Sequence, residues 1–235
     1  MKRILLAISV LAVAASSSFA QGTIQVYSTS ATFAIYTNNS TYTAALNGVY
    51  DTTGGKTAIA ANGFYYALLF QPYNAGLSTI NPLSSTYALG MMATNLPVAG
   101  GIRGAGGATG SAVTGWDAPT DANYNTAERN NFLLVGWSAS LGSSWLTVSN
   151  ELSTGTWSAN GFFGVSALGN AYAGAGPNTL PAVSVFSVTT GAPGGLATGL
   201  TLYSVTAGGG PVPEPSTMAL AALGGASLLL FRRRK

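Results

Sequence analysis

Residues 64–70 read Phe-Tyr-Tyr-Ala-Leu-Leu-Phe, an unbroken apolar run closed by Pro72. A run of this length that does not alternate reads as a strand covered on both faces, and it is expected at the centre of a sheet. The neighbouring sequence fits such a sheet. Residues 23–36 alternate well enough for one or two strands, with Ile24 and Val26 on one face and Phe33 and Ile35 following. Segments 132–138, 145–149, 161–167, 182–188 and 199–206 read as further short strands. Among them Val183, Val185, Leu200 and Leu202 keep the period of two of a half-buried strand. Turn signals separate them: Asn38-Asn39-Ser40, residues 51–55, and a break at Asn81-Pro82 within a mixed stretch from 77 to 96. Residues 121–131 have room for one short helical turn, and no long amphipathic helix is expected. Short strands punctuated by turn residues predict a mainly β, antiparallel β-sandwich or jelly-roll-like single domain.

Composition explains how such a domain is held. Six of the nine cations sit at the chain ends (Lys2, Arg3, Arg232, Arg233, Arg234 and Lys235). Residues 21–212 keep Lys56, Arg103 and Arg129 against Asp51, Asp117, Asp121, Glu128 and Glu151, a formal charge of −2. Nucleic-acid binding needs clustered cations to displace counterions, so no nucleic-acid partner is expected. So few charges raise the question of disorder, but disordered chains are poor in aromatic and β-branched residues and this one is rich in both. The absence of cysteine leaves packing as the source of stability. The absence of histidine removes the usual general base, the commonest metal ligand and any Ser-His or Cys-His nucleophile. No cofactor, no metal and no enzymatic activity are expected.

The two ends carry their own signals. Residues 1–20 have a basic start, an apolar run from 4 to 15, and Ser18-Phe19-Ala20 before Gln21, the pattern of a secretory signal peptide cut after Ala20. Residues 21–207 then form the exported β-rich domain, and 208–211 (Gly-Gly-Gly-Pro) a linker. In segment 212–235, Pro213 and Pro215 fix φ and remove N–H donors, keeping Val-Pro-Glu-Pro-Ser extended and open to a processing enzyme. The apolar run 217–231 would span about 22 Å as a helix, against about 30 Å of hydrocarbon, so it is a short transmembrane helix and a minimal anchor. The closing Arg232, Arg233, Arg234 and Lys235 stay on the cytoplasmic side.

In that order, Val-Pro-Glu-Pro, a short apolar helix and an arginine-rich end resemble the PEP-CTERM sorting signal of Gram-negative bacteria. The same segment is also described as an ice-binding protein C-terminal domain, which implies nothing about ice for the body. The resemblance covers about the last 24 residues. It implies recognition of Pro213, Glu214 and Pro215 by an exosortase, a membrane-embedded cysteine transpeptidase. It also implies a transient anchor in the bacterial inner membrane and delivery to the cell surface or an extracellular polysaccharide matrix. The expected function is a structural component of that surface or matrix, with a carbohydrate-binding module of the exopolysaccharide as the alternative.

Other chemistries leave weaker traces. Asp121-Ala-Asn123-Tyr-Asn125 alternates oxygen ligands, with Asp117 and Glu128 near, as an EF-hand loop begins; but the next positions hold Thr126 and, at the twelfth, Phe132. Solvated turn residues are the better reading. Asp117, Asp121, Glu128 and Glu151 are the plausible members of a hydrolytic carboxylate pair, with nothing in their spacing to bring two together. The glycine-dense 100–110 contains no P-loop or G-x-G-x-x-G register and reads as a flexible surface loop. For sugar stacking, Trp137 and Trp145 lie in apolar contexts and read as core. Trp116 and Trp157, beside Gly, Ser and Asp, are the candidates.

Overall fold

The computed structural model describes residues 21–29, 33–37, 63–78, 80–118, 124, 129–174, 180–187, 191–197 and 199–208. Its elements are β1 (Gln21–Gln25), β2 (Tyr27–Ser28), β3 (Ile35–Thr37), β4 (Phe64–Pro72), β5 (Ala88–Asn95), β6 (Ile102–Gly104), β7 (Ser111–Asp117), β8 (Asn130–Ser138), α1 (Trp145–Thr154), β9 (Gly161–Val165), β10 (Gly169–Ala171), β11 (Val183–Ser184) and β12 (Leu200–Val205). The fold is mainly β. A large curled sheet runs in the order β2-β6-β5-β4-β8-β9-β12-β3, with β10 also on β8, and a small one in the order β11-β1-β7.

The apolar run is where the sequence places it. β4 lies between β5 and β8, and its pairing with β8 continues from Phe64↔Ser138 to Pro72↔Asn130. Alternate residues of the pair feed two cores. Tyr66, Leu68, Phe70, Phe132 and Leu134 point to one side, where Ile24 of β1, Val113 and Trp116 of β7 and Val183 of β11 meet them. Ala67, Leu69, Leu133, Val135 and Trp137 point to the other, where Leu141 and Val148 meet them. Each fully buried Leu or Phe contributes about 1.5–3 kcal/mol of transfer free energy, so this strand pair carries both cores.

The two faces of the large sheet are therefore covered by different elements. The small sheet covers one face of the large sheet, and α1 covers the other. Strand was expected at 145–149, and the structure replaces it with helix. Ser144 caps the first turn, accepting from Thr147 N at 3.2 Å, and Gly155 ends the helix at φ 67°. Trp145 and Val148, three apart, turn inward while Leu146 is 71% exposed. The Trp-Leu-Thr-Val alternation is short enough to serve either period, and the caps decide. The pairing is also not purely antiparallel: β1–β11 and β12–β3 are parallel. The glycine-dense segment is not a loop throughout. It contributes β6 and a 3₁₀ turn at Gly107–Thr109, with Gly100, Gly106, Gly107 and Gly110 all at positive φ.

Two Gly-x-Ser segments take equivalent places in the large sheet. Gly136-Trp-Ser138 and Gly164-Val-Ser166 lie on adjacent antiparallel strands with Gly136 opposite Gly164. Ser138 Oγ accepts from Phe162 N at 2.9 Å, and Ser166 Oγ accepts from Leu134 N at 2.9 Å, so the two halves are related by a local two-fold. The glycine pair gives room to Leu202, whose Cδ2 would meet a Cβ on either at 3.0 Å. Both serines are buried. Ser138→Ala or Ser166→Ala removes a buried acceptor from a backbone N–H and should cost about 1–3 kcal/mol each, read from urea unfolding midpoints.

Candidate functional site

The four tryptophans separate into two environments. Trp137 is fully buried, as expected, and donates from Nε1 to Gly142 O at 2.8 Å. Trp145 is half-buried on α1, its ring 6.0 Å from that of Trp137. Trp116 corrects the sequence reading: it is fully buried, with Phe70 at 5.2 Å and Phe132 at 6.0 Å, and offers no face to a sugar. Its polar neighbours in sequence mislead because β7 breaks its alternation: with Gly115 at φ 82°, Val113 and Trp116, three apart, are both buried while Thr114 and Gly115 stay exposed. Trp157 is half-buried, with one face occupied by Phe163 at 5.4 Å.

What sequence reasoning missed is a row of side chains in direct register across seven strands. It runs Tyr27, Arg103, Thr94, Tyr65, Trp137, Phe163, Tyr203, on β2, β6, β5, β4, β8, β9 and β12. Directly opposite residues share a face at a strand spacing of about 4.8 Å. The row lies on the α1 side of the sheet. At its middle, α1 and the 139–144 segment cover Trp137. Tyr203, at one end, is 59% exposed. Toward the other end the strands are uncovered, and a shallow groove of about 400 Å³ opens over Tyr65, Met92, Thr94 and Arg103, with Ser143 on its rim. No sequence signal marks this row, because register between distant strands is a tertiary property.

The remaining described charges are separated by the fold. Arg129 lies between two rings, 4.1 Å from Tyr73 and 5.6 Å from Tyr172, and donates to Asn170 Oδ1 at 3.1 Å. Asp117 ends β7 in the small sheet, while Glu151 sits on α1 at the opposite face of the large sheet. These two carboxylates are therefore not brought together. Glu151 instead holds the turn that presents Trp157, its Oε1 accepting from Ser158 N at 3.3 Å. Asp121, Asn123, Asn125 and Glu128 lie outside the described residues, so the calcium pattern and the other carboxylate pairs do too. Among the described residues no group of three or more metal-ligating side chains occurs.

The chain leaves the body beside Trp157. Ala207 bridges to Trp157 in parallel and donates from its N to Asn160 Oδ1 at 2.8 Å, and Gly208 N donates to Trp157 O at 3.0 Å. The last described turn is thus tied to the body, and Gly209 and Gly210 alone separate it from Pro211. From Pro211 to the end of the chain, residues 211–235, the family model of the PEP-CTERM protein-sorting motif matches. Residues 211–235 thus match a sorting signal. The motif in question implies recognition by an exosortase, export and processing at the membrane. No curated protein and no solved structure matches the chain.

Pro213, Glu214 and Pro215, the apolar run 217–231, the closing Arg232, Arg233, Arg234 and Lys235, and the expected signal peptide 1–20 lie outside the described residues. No helix among the described residues is long and apolar enough to cross a membrane.

Proposed function

We propose that the protein is a non-enzymatic structural component of the cell surface or extracellular matrix, carried to its place by the PEP-CTERM route. The match at 211–235 is the observation that carries this reading. The signal-peptide pattern at the other end agrees with it, since both assign the body to the exported side. A chain without histidine or cysteine and with a nearly neutral body is suited to packing rather than acid–base or nucleophilic chemistry. The sandwich-like cover on one face and the helix on the other give that body two cores without disulfides.

The short tether adds a constraint. Five peptide steps lead from Gly208 to Pro213, a reach of at most about 18 Å. While the run 217–231 is in the bilayer, the body is held close to the membrane and to the enzyme acting on Pro-Glu-Pro. Cell fractionation with an antibody to the body is the test. Protein starting at Gln21 in the surface or matrix fraction is expected. Recovery from the cytoplasm with both ends intact would contradict the reading.

A further inference from the structure

We propose that the groove over β4, β5 and β6 binds an acidic polysaccharide, a chain that carries uronate carboxylates. Tyr27, Arg103, Thr94 and Tyr65 stand in direct register on one face, and Arg103, Thr94 and Tyr65 line the groove. Arg103 is exposed and forms no ion pair with a described carboxylate. Its side chain passes over Gly107, where a Cβ would lie 3.1 Å from Nε and where the φ of +55° favours glycine. A guanidinium is a planar fork of donors that matches a carboxylate in two-point contact. Thr94 and Ser143 add hydroxyls that both donate and accept, as sugar hydroxyls require. Tyr65 and Met92 supply apolar surface for the C–H faces of a pyranose.

The shape and charge choose among occupants. The groove is shallow and open, which suits a length of polymer rather than an enclosed small molecule. A nucleic acid would bring one phosphate per nucleotide to a body of formal charge −2 with a single cation in the groove, and counterion displacement would be negligible. A chain with a carboxylate on some of its rings and hydroxyls elsewhere matches one guanidinium in a groove that also offers the hydroxyls of Thr94 and Ser143 and the ring of Tyr65. This inference goes beyond the sorting reading and needs only that the body meets polysaccharide; its failure would leave processing at Pro-Glu-Pro untouched.

The experiment is affinity electrophoresis of the full chain in detergent micelles, with hyaluronan, which carries a carboxylate on every second ring, or neutral dextran cast in the gel. Hyaluronan should retard the protein and dextran should not. Arg103→Gln should weaken the retardation at least tenfold in apparent Kd, with an unchanged unfolding midpoint because the side chain is exposed. Arg103→Lys, which keeps the charge and loses the fork, should fall between. Absence of retardation by hyaluronan, equal retardation by dextran, or an Arg103→Gln protein that binds as the parent does would each overturn the proposal.

Discussion

Trp116→Ala should lower the stability of the body by about 3–5 kcal/mol, the range for removing a large buried aromatic. Trp116 is fully buried and stacks on Phe70, which belongs to the central strand β4, and packs on Phe132 of β8. It is therefore a principal side chain, with Ile24, Val113 and Val183, by which the small sheet packs on the large one. With the Asn130 amide oriented to satisfy its neighbours, its oxygen accepts from Trp116 Nε1 at 3.2 Å and its nitrogen donates to Gln71 O at 3.0 Å. Alanine removes the ring and leaves that buried amide short of a donor, so cavity and hydrogen-bond costs add. Domains of this size hold about 5–15 kcal/mol in all, so the variant should approach the threshold of folding. Urea unfolding measures it. Trp157→Ala, at a half-buried ring, should cost markedly less; equal and small losses at both positions would mean that Trp116 is not in the core.

Replacing Pro213 and Pro215 together by alanine should reduce the processed form at least tenfold, with full-length chain accumulating in the membrane fraction. The physical reason is local. Each proline fixes φ near −65° and withholds an N–H, which the sequence reading expects to keep the segment before the apolar run from joining a helix. Alanine, the best helix former, would let a helix over 217–231 extend through the residues proposed for exosortase recognition. Pulse-labelling followed by separation of the C-terminal fragment gives the ratio directly. The body should be unaffected, and its unfolding midpoint should match that of the parent.

Legibility in the sequence tracks the range of the interactions involved. β4 was readable because seven apolar residues in a row have few other places to go, and β12 because Leu200 and Leu202 alternate cleanly. α1 was not readable, since Trp145 and Val148 satisfy a helix face as easily as a strand context, and the deciding groups, Ser144 and Gly155, are a cap at each end. Trp116 misled because its neighbours Gly115 and Asp117 are surface-like while its own side chain faces inward. The parallel pairs β1–β11 and β12–β3 join residues far apart in the chain, and nothing local announces them. The same holds for the row from Tyr27 to Tyr203, which exists only once seven strands are in register. The sorting segment is the opposite case: its motif, apolar run and charges are contiguous, so the sequence alone carries its meaning.

The most direct measurement is the intact mass of the protein recovered from the surface of its host, with and without a functional exosortase. With the enzyme, the mass should correspond to a chain that begins at Gln21 and ends at or near Pro213-Glu214-Pro215, without the run 217–231 or the four closing cations. Without it, the tail should remain and the protein should stay with the membrane. A surface protein that keeps Arg232, Arg233, Arg234 and Lys235 in the presence of the enzyme would contradict the account.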